Sequence, residues 1–237
     1  MSSVVTDSSA RSQDGKRVVD HIGAIRSNNS PAWKAVVYDI ERAIGHTFFR
    51  RRPPDRGTPR LLNLGCDSTK FYGWVNADHY RFIALIRQRH LRFDWMLDAE
   101  KPWSCADDYW DGIFTDHVLE HLSYQGVTVA LHEAHRTLKP GAWIRISVPN
   151  LERYIRCEGS QFAHFIDPAE AVSHLAQNHN HRSLWTPSLM QRLLLGLNYA
   201  DVREVEFGEG SDPRLLRDAT ERQELSFYVE ARKPLLE

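Results

Sequence analysis

The chain predicts an α/β fold built on a doubly wound, mostly parallel sheet. Two observations point to it. Between residues 60 and 150, short apolar runs alternate with helical patterns, the spacing of strand–helix–strand units whose crossovers are right-handed. Gly65, Asp78, Asp98, Asp116 and Asn150 each close one of those runs. One glycine and four polar tips therefore fall along one margin of the sheet, where sheets of this class hold ligands.

The elements follow in order. Residues 1–29, rich in Ser, Asp, Arg and Asn, are expected to be a mobile N-terminal segment. Ser30-Pro31 caps a helix whose face is Trp33, Val36, Val37, Ile40 and Ile44. A basic linker, RRRPPDRGTPR, ends it, and a main domain spans 58–237. Leu61, Leu62 and Leu64 form the first strand, stopping at Gly65; Val75 and Ala77 lead to Asp78. Glycine lets a backbone approach a ligand closely, and a carboxylate at the next tip can accept hydrogen bonds from two ribose hydroxyls. Only nine residues, Gly65 to Gly73, join these strands. That is below the ~10–12 a crossover helix needs, so the first crossover is shortened. A short helix over 82–89 and a third run at 93–97 follow, then a strand over 111–116. His117 starts a helix, HVLEHL, and Val127, Leu131, Ala134 and Leu138 mark a longer one. Lys139-Pro140-Gly141 is a stop and turn before a strand over 142–148. Residues 151–186 show few regular signals and read as an insertion over the active edge. Thr186-Pro187 begins another helix; 201–207 and 225–231 are strands joined by a long exposed connection.

Composition excludes several classes. The formal charge of −1 gives no global pull toward nucleic acid or an anionic membrane. No apolar stretch approaches the ~20 residues that span a bilayer. Three separated cysteines, Cys66, Cys105 and Cys157, form no disulfide framework. With no signal-peptide pattern at the N-terminus, the expected location is the cytoplasm. The expected oligomeric state is monomer or homodimer.

NLGCDSTKFYGWVNAD, LD at 97–98, DGIFTDHVLEHL at 111–122 and LHEAHRTLKPGAWIRISVPN at 131–150 resemble class I S-adenosylmethionine-dependent methyltransferases of the compact bacterial type. The resemblance covers about residues 58–235. It implies a Rossmann-like sheet of seven strands with the last strand antiparallel, between the fifth and sixth. It implies S-adenosylmethionine as cofactor. Asn63, Leu64, Gly65 and Cys66 would border its methionine part, Asp78 its ribose, Leu97 and Asp98 its adenine, and Asp116 and His117 its reactive end. Further glycines usual in the first loop are replaced by Asp67 and Thr69, so Lys70 or Ser68 is expected to hold the methionine carboxylate.

An oxygen nucleophile of high pKa needs a base, and histidine is the natural one. His117 is the candidate, with Asp116 orienting it and His121 one helical turn on. His117 to His121 also matches H-x-x-E-H, a metal signature. It is set aside because its helix would start right after a buried strand ending in Asp116, the rest of the chain supplies a nucleoside site, and the histidines at 174–181 could offer a third ligand only by chance; no metal is expected. Arg153, Tyr154, His179, His181 and Trp185 are candidates to hold a small or glycan-like hydroxylated acceptor, with Tyr72 and Trp74 as further stacking surfaces. The implied activity is O-methylation. The alternatives are a cofactor-binding module without turnover and a metal-dependent hydrolase using His117, Glu120 and His121.

Overall fold

The computed structural model describes residue 20 and residues 52–79, 93–177 and 180–235. The expected helices over 30–44 and 82–89, and nearly all of the 1–29 segment, lie outside the described residues. Seven strands make one sheet: β1 (Leu61–Leu64), β2 (Val75–Asp78), β3 (Trp95–Met96), β4 (Trp110–Asp116), β5 (Leu138–Pro149), β6 (Ala200–Val205) and β7 (Ser226–Arg232). Their order is β3-β2-β1-β4-β5-β7-β6. The first five pair in parallel, and β7 runs antiparallel between β5 and β6. This is the expected seven-stranded arrangement.

Among the described residues, the two faces of the sheet carry different clusters. On one face Leu62, Leu64, Ile113, Ile144, Ile146, Val148 and Val229 pack with helix α1 (Tyr124–Thr137) and with Met190, Leu193 and Leu194 of a later helix. On the other, Leu61, Trp74, Phe114 and Leu215 form a smaller cluster joined by Phe71 and Trp143. The alternation of neighbours such as Leu61 and Leu62 between faces is the two-residue period of a strand.

The crossover from β1 to β2 has no helix, as its length requires. Two buried asparagines hold it. Asn63 Nδ2 donates to Thr69 O at 2.9 Å and to Asn76 Oδ1 at 3.1 Å. Asn76 Oδ1 accepts from Phe71 N at 2.9 Å, and its Nδ2 donates to Phe71 O at 3.1 Å. Side-chain amides thus satisfy backbone groups that a helix would have satisfied internally.

Several expectations need correction. The turn Lys139-Pro140-Gly141 does end α1, but it sits inside β5 as a bulge. Trp110 pairs with Leu138 and Gly112 with Trp143, so the excess residues of β5 loop out around Gly141, at φ +81°. HVLEHL is not an α-helix: His117 takes φ +54°, and only Leu119–His121 make a 3₁₀ turn. Residues 151–177 are more regular than their sequence suggests. Helix α2 (Leu151–Arg156) and helix α3 (Pro168–Gln177) pack Tyr154, Phe162, Ala171 and Leu175 into a core of their own. Helix α4 (Pro187–Gly196) is as expected, with the Thr186 hydroxyl accepting from Leu189 N and Pro187 in its first turn. The connection 206–223 is not a free loop. Arg145 of β5 and Asp218 form an ion pair with both side chains 1% exposed. Arg145 also donates to Glu209 O at 2.6 Å and Glu206 O at 3.3 Å, and Gly208 N donates to Asp218 at 2.8 Å.

Candidate active site

A cleft of ≈ 690 Å³ opens at the carboxyl ends of β1, β2 and β4. Its walls include Asn63, Leu64, Gly65, Cys66, Asp78, Leu97, Asp98, Asp116, His117 and His121. These ten residues, which the sequence placed at cofactor or catalysis, thus share one cavity; Lys70, expected near the methionine carboxylate, is not among those lining it.

Gly65 has two reasons to be glycine. Its φ is +74°, and a Cβ there would stand 2.1 Å from Val118 Cγ2. Gly65 N and Cys66 N both donate to Ala77 O, at 2.9 and 3.0 Å, which folds the first loop over the tip of β2. Asp78 is fixed by that fold: Oδ2 accepts from Asp67 N at 2.7 Å and Oδ1 from His79 N at 2.6 Å. Burial raises its carboxyl pKa, with those two backbone donors acting against the rise. Each carboxylate oxygen keeps a second lone pair for a ligand hydroxyl. Leu97 N donates to Asp78 O at 3.0 Å, setting Leu97 and Asp98 beside it. Burial pushes the Cys66 thiol up to about 12, so it stays neutral lining. Ser68 lines the cleft.

The catalytic expectations are rearranged. Asp116 does not orient His117; its Oδ2 takes Arg222 Nη1 at 3.0 Å. Burial raises the Asp116 carboxyl, opposed by the neighbouring His117 and Arg222. The His117 ring, 16% exposed, has Nδ1 3.1 Å from Glu120 Oε1 and Nε2 2.7 Å from Ser226 Oγ. Its partners are therefore Glu120, 2% exposed, and a residue of β7. His121 is exposed and lies against the His181 ring, centroids 4.9 Å apart.

Most expected acceptor contacts lie elsewhere. Trp185 is 1% exposed in the main core, edge-on to Tyr124, with Nε1 donating to Ser183 Oγ at 2.8 Å. Tyr154 packs on Phe162, and Arg153 donates to Glu224 O; neither lines the cleft. An aromatic ring and a basic side chain in an irregular-looking stretch suggested a binding loop, but burial of the ring in the α2–α3 core wins. Trp74 is likewise core, while Tyr72 is fully exposed. His181 does not line the cleft but packs against His121, which does; His179 lies outside the described residues.

The sequence reading missed the other wall. Arg217, Ala219, Glu221 and Arg222 line the cleft from the 206–223 connection. One signal was present. Asp212-Pro213 is an N-cap followed by proline, and Asp212 does cap a 3₁₀ turn over Pro213–Leu215, its Oδ1 accepting from Arg214 N at 3.0 Å. Leu215 buries from that turn.

Comparison with known proteins agrees with this architecture. A family model described as a methyltransferase domain matches residues 28–204. No curated protein sequence matches the chain. Among solved structures, an S-adenosylmethionine-dependent methyltransferase from Mesorhizobium loti aligns at 19% identity and TM-score 0.51, over 76% of this chain and 93% of that one. A chain from the complex of the Haloferax volcanii Trm112 methyltransferase activator with a methyltransferase aligns at 15% identity and TM-score 0.50, over 87% and 96%. At such identities these two likenesses speak for the fold.

Proposed function

Because the chain belongs to the methyltransferase-domain family, we propose that it transfers the methyl group of S-adenosylmethionine to an oxygen of a small or glycan-like hydroxylated acceptor. The observation that carries this reading is the single cleft into which Gly65, Asp78, Leu97 and Asp98 open together. That cleft fits the cofactor. Asp78 offers two anchored carboxylate oxygens for ribose hydroxyls, Leu97 and Asp98 an apolar and an accepting group for adenine, and the loop from Asn63 to Cys66 a side-chain-free approach for the methionine end. The cofactor, when bound, supplies an electrophilic methyl on sulfur; the protein supplies position and field.

Oxygen as the nucleophile is favoured by His117. Nδ1 lies 3.1 Å from the buried Glu120 carboxylate without a hydrogen bond to it; that negative charge favours the ring hydrogen on Nδ1 and leaves Nε2 as the basic nitrogen. Nε2 now meets Ser226 Oγ. To act, it exchanges that hydroxyl for the acceptor's and takes its proton as the new bond forms. Glu120 then stands beside the resulting imidazolium.

Offered S-adenosylmethionine and a panel of nucleotide sugars and small alcohols, the protein is expected to release S-adenosylhomocysteine with one of them. His117→Ala should lower kcat by ~10²–10⁴-fold, the range for a lost general base, while S-adenosylhomocysteine affinity stays within about threefold. Unchanged kcat would remove His117 as base. Tight cofactor binding with no product from any acceptor would favour the reading of a binding module without turnover.

A further inference from the structure

His181 lies against His121 of the cleft wall for a reason of backbone geometry. Arg182 N and Ser183 N both donate to Glu120 O, at 2.7 and 3.1 Å. Ser183 Oγ donates to Leu119 O at 3.2 Å. These bonds lay residues 181–183 across the 3₁₀ turn that carries Glu120 and His121. One carboxylate and two imidazoles converge as a result. The ligand atoms of Glu120, His121 and His181 all lie within 4.8 Å of one another.

Glu120 is the informative member. Its side chain is 2% exposed, yet neither carboxylate oxygen completes a hydrogen bond. His117 Nδ1 comes within 3.1 Å of Oε1 but off the hydrogen-bonding direction, and His181 Nε2 stands 4.0 Å from the same oxygen. An ionised carboxylate buried this far is costly unless a cation meets it. Histidines gathered round it are neutral ligands or partial counter-charges, and two of the three have a nitrogen within 4.0 Å of one oxygen.

We propose that Glu120, His121 and His181 bind one divalent transition-metal ion of the zinc class at the mouth of the cleft. Two imidazoles and a carboxylate form a donor set that zinc takes where a coordination position stays open. Imidazole ligands select against magnesium and calcium, which prefer oxygen. With bonds of about 2.0–2.2 Å, ligand atoms around tetrahedral zinc stand roughly 3.3–3.5 Å apart. The side chains need to close by no more than about 1.5 Å to reach that spacing, and His121, being exposed, has the rotamer freedom to do so. His117, braced by Ser226, supports the carboxylate from the other side, as outer partners of metal ligands do. This departs from the expectation of no metal, which held that the histidines at 174–181 could offer a third ligand only by chance. His181 is that ligand, brought from sixty residues away. Metal binding stands independently of the methyl-transfer reading. Use of the ion to acidify an acceptor hydroxyl rests on that reading, since His121 borders the same cleft.

The test is a zinc titration of the untagged full chain after chelator treatment, by calorimetry, with visible absorption of the cobalt-loaded protein as second readout. One ion per chain is expected, with a low-coordinate cobalt spectrum. Glu120→Gln and His181→Ala should each weaken zinc at least ~30-fold, or roughly 2 kcal/mol. His174→Ala, at the other histidine cluster near His164, should leave it unchanged. S-adenosylhomocysteine titrated into each variant reports the fold. Fewer than about 0.1 zinc per chain, or an affinity unmoved by His181→Ala or lost with His174→Ala, overturns the site. Should the variants fail to fold, wild-type stoichiometry and the cobalt spectrum decide. Zinc binding without cofactor binding would instead sink the methyltransferase reading and leave this one standing.

Discussion

Asp218→Ala is expected to destabilise the protein by ~3–5 kcal/mol, the cost of leaving a buried charge without its partner. Arg145 is 1% exposed, and its Nε and Nη2 donate side by side to the two carboxylate oxygens of Asp218. Removing the carboxylate strands the cation beneath the sheet, with the carbonyls of Glu206 and Glu209 and the Tyr228 ring, 5.3 Å from its centre, as remaining contacts. Gly208 N loses its acceptor as well. Replacing both partners, as Arg145→Met with Asp218→Leu, should cost less than the single change, because apolar pairs of similar volume dispense with the desolvation penalty. Urea melts of the three proteins check this. A single-variant loss under about 1 kcal/mol would show that water reaches the pair and that the connection is not anchored by it.

Asp78→Ala is expected to weaken S-adenosylhomocysteine at least tenfold, about 1.4 kcal/mol, with the fold retained. Two charge-assisted hydrogen bonds to ribose would be lost, each worth about 1.5–3 kcal/mol. Two backbone donors, Asp67 N and His79 N, would also turn to water. Asp78→Asn should recover part of the loss. Affinity in the wild type should fall on acidification. Because burial lifts the Asp78 carboxyl above its ordinary value, the fall begins at a higher pH than an exposed aspartate would give. Calorimetry over a pH series measures both effects. Equal affinity in Asp78→Ala would place the ribose elsewhere.

The sheet and its ligand-bearing margin were legible because they depend on local signals. Apolar runs ending in Gly65, Asp78 and Asp116 are readable one strand at a time, and the short link from Gly65 to Gly73 excluded a helix by arithmetic. What was illegible depends on contacts between distant segments. His117 looked oriented by its neighbour Asp116, but positive φ at His117 turns the ring toward Glu120 and β7. The 206–223 connection looked solvated because its charges were visible and their partner, Arg145 on β5, was not. His181 looked like one polar loop residue among several. Its place is set by two hydrogen bonds to a carbonyl sixty residues earlier.

The missing first helix has a further cost, in time. Leu215 covers the sheet face beside Leu61, Trp74 and Phe114. Among the described residues, that cluster is completed only once Leu215 has left the ribosome, since closure joins residues about 150 positions apart. Such distant pairings are slow to form and leave apolar surface open to aggregation meanwhile. Nascent chains cut before Leu215 should therefore depend on chaperones, and ones released just after Arg232 should not.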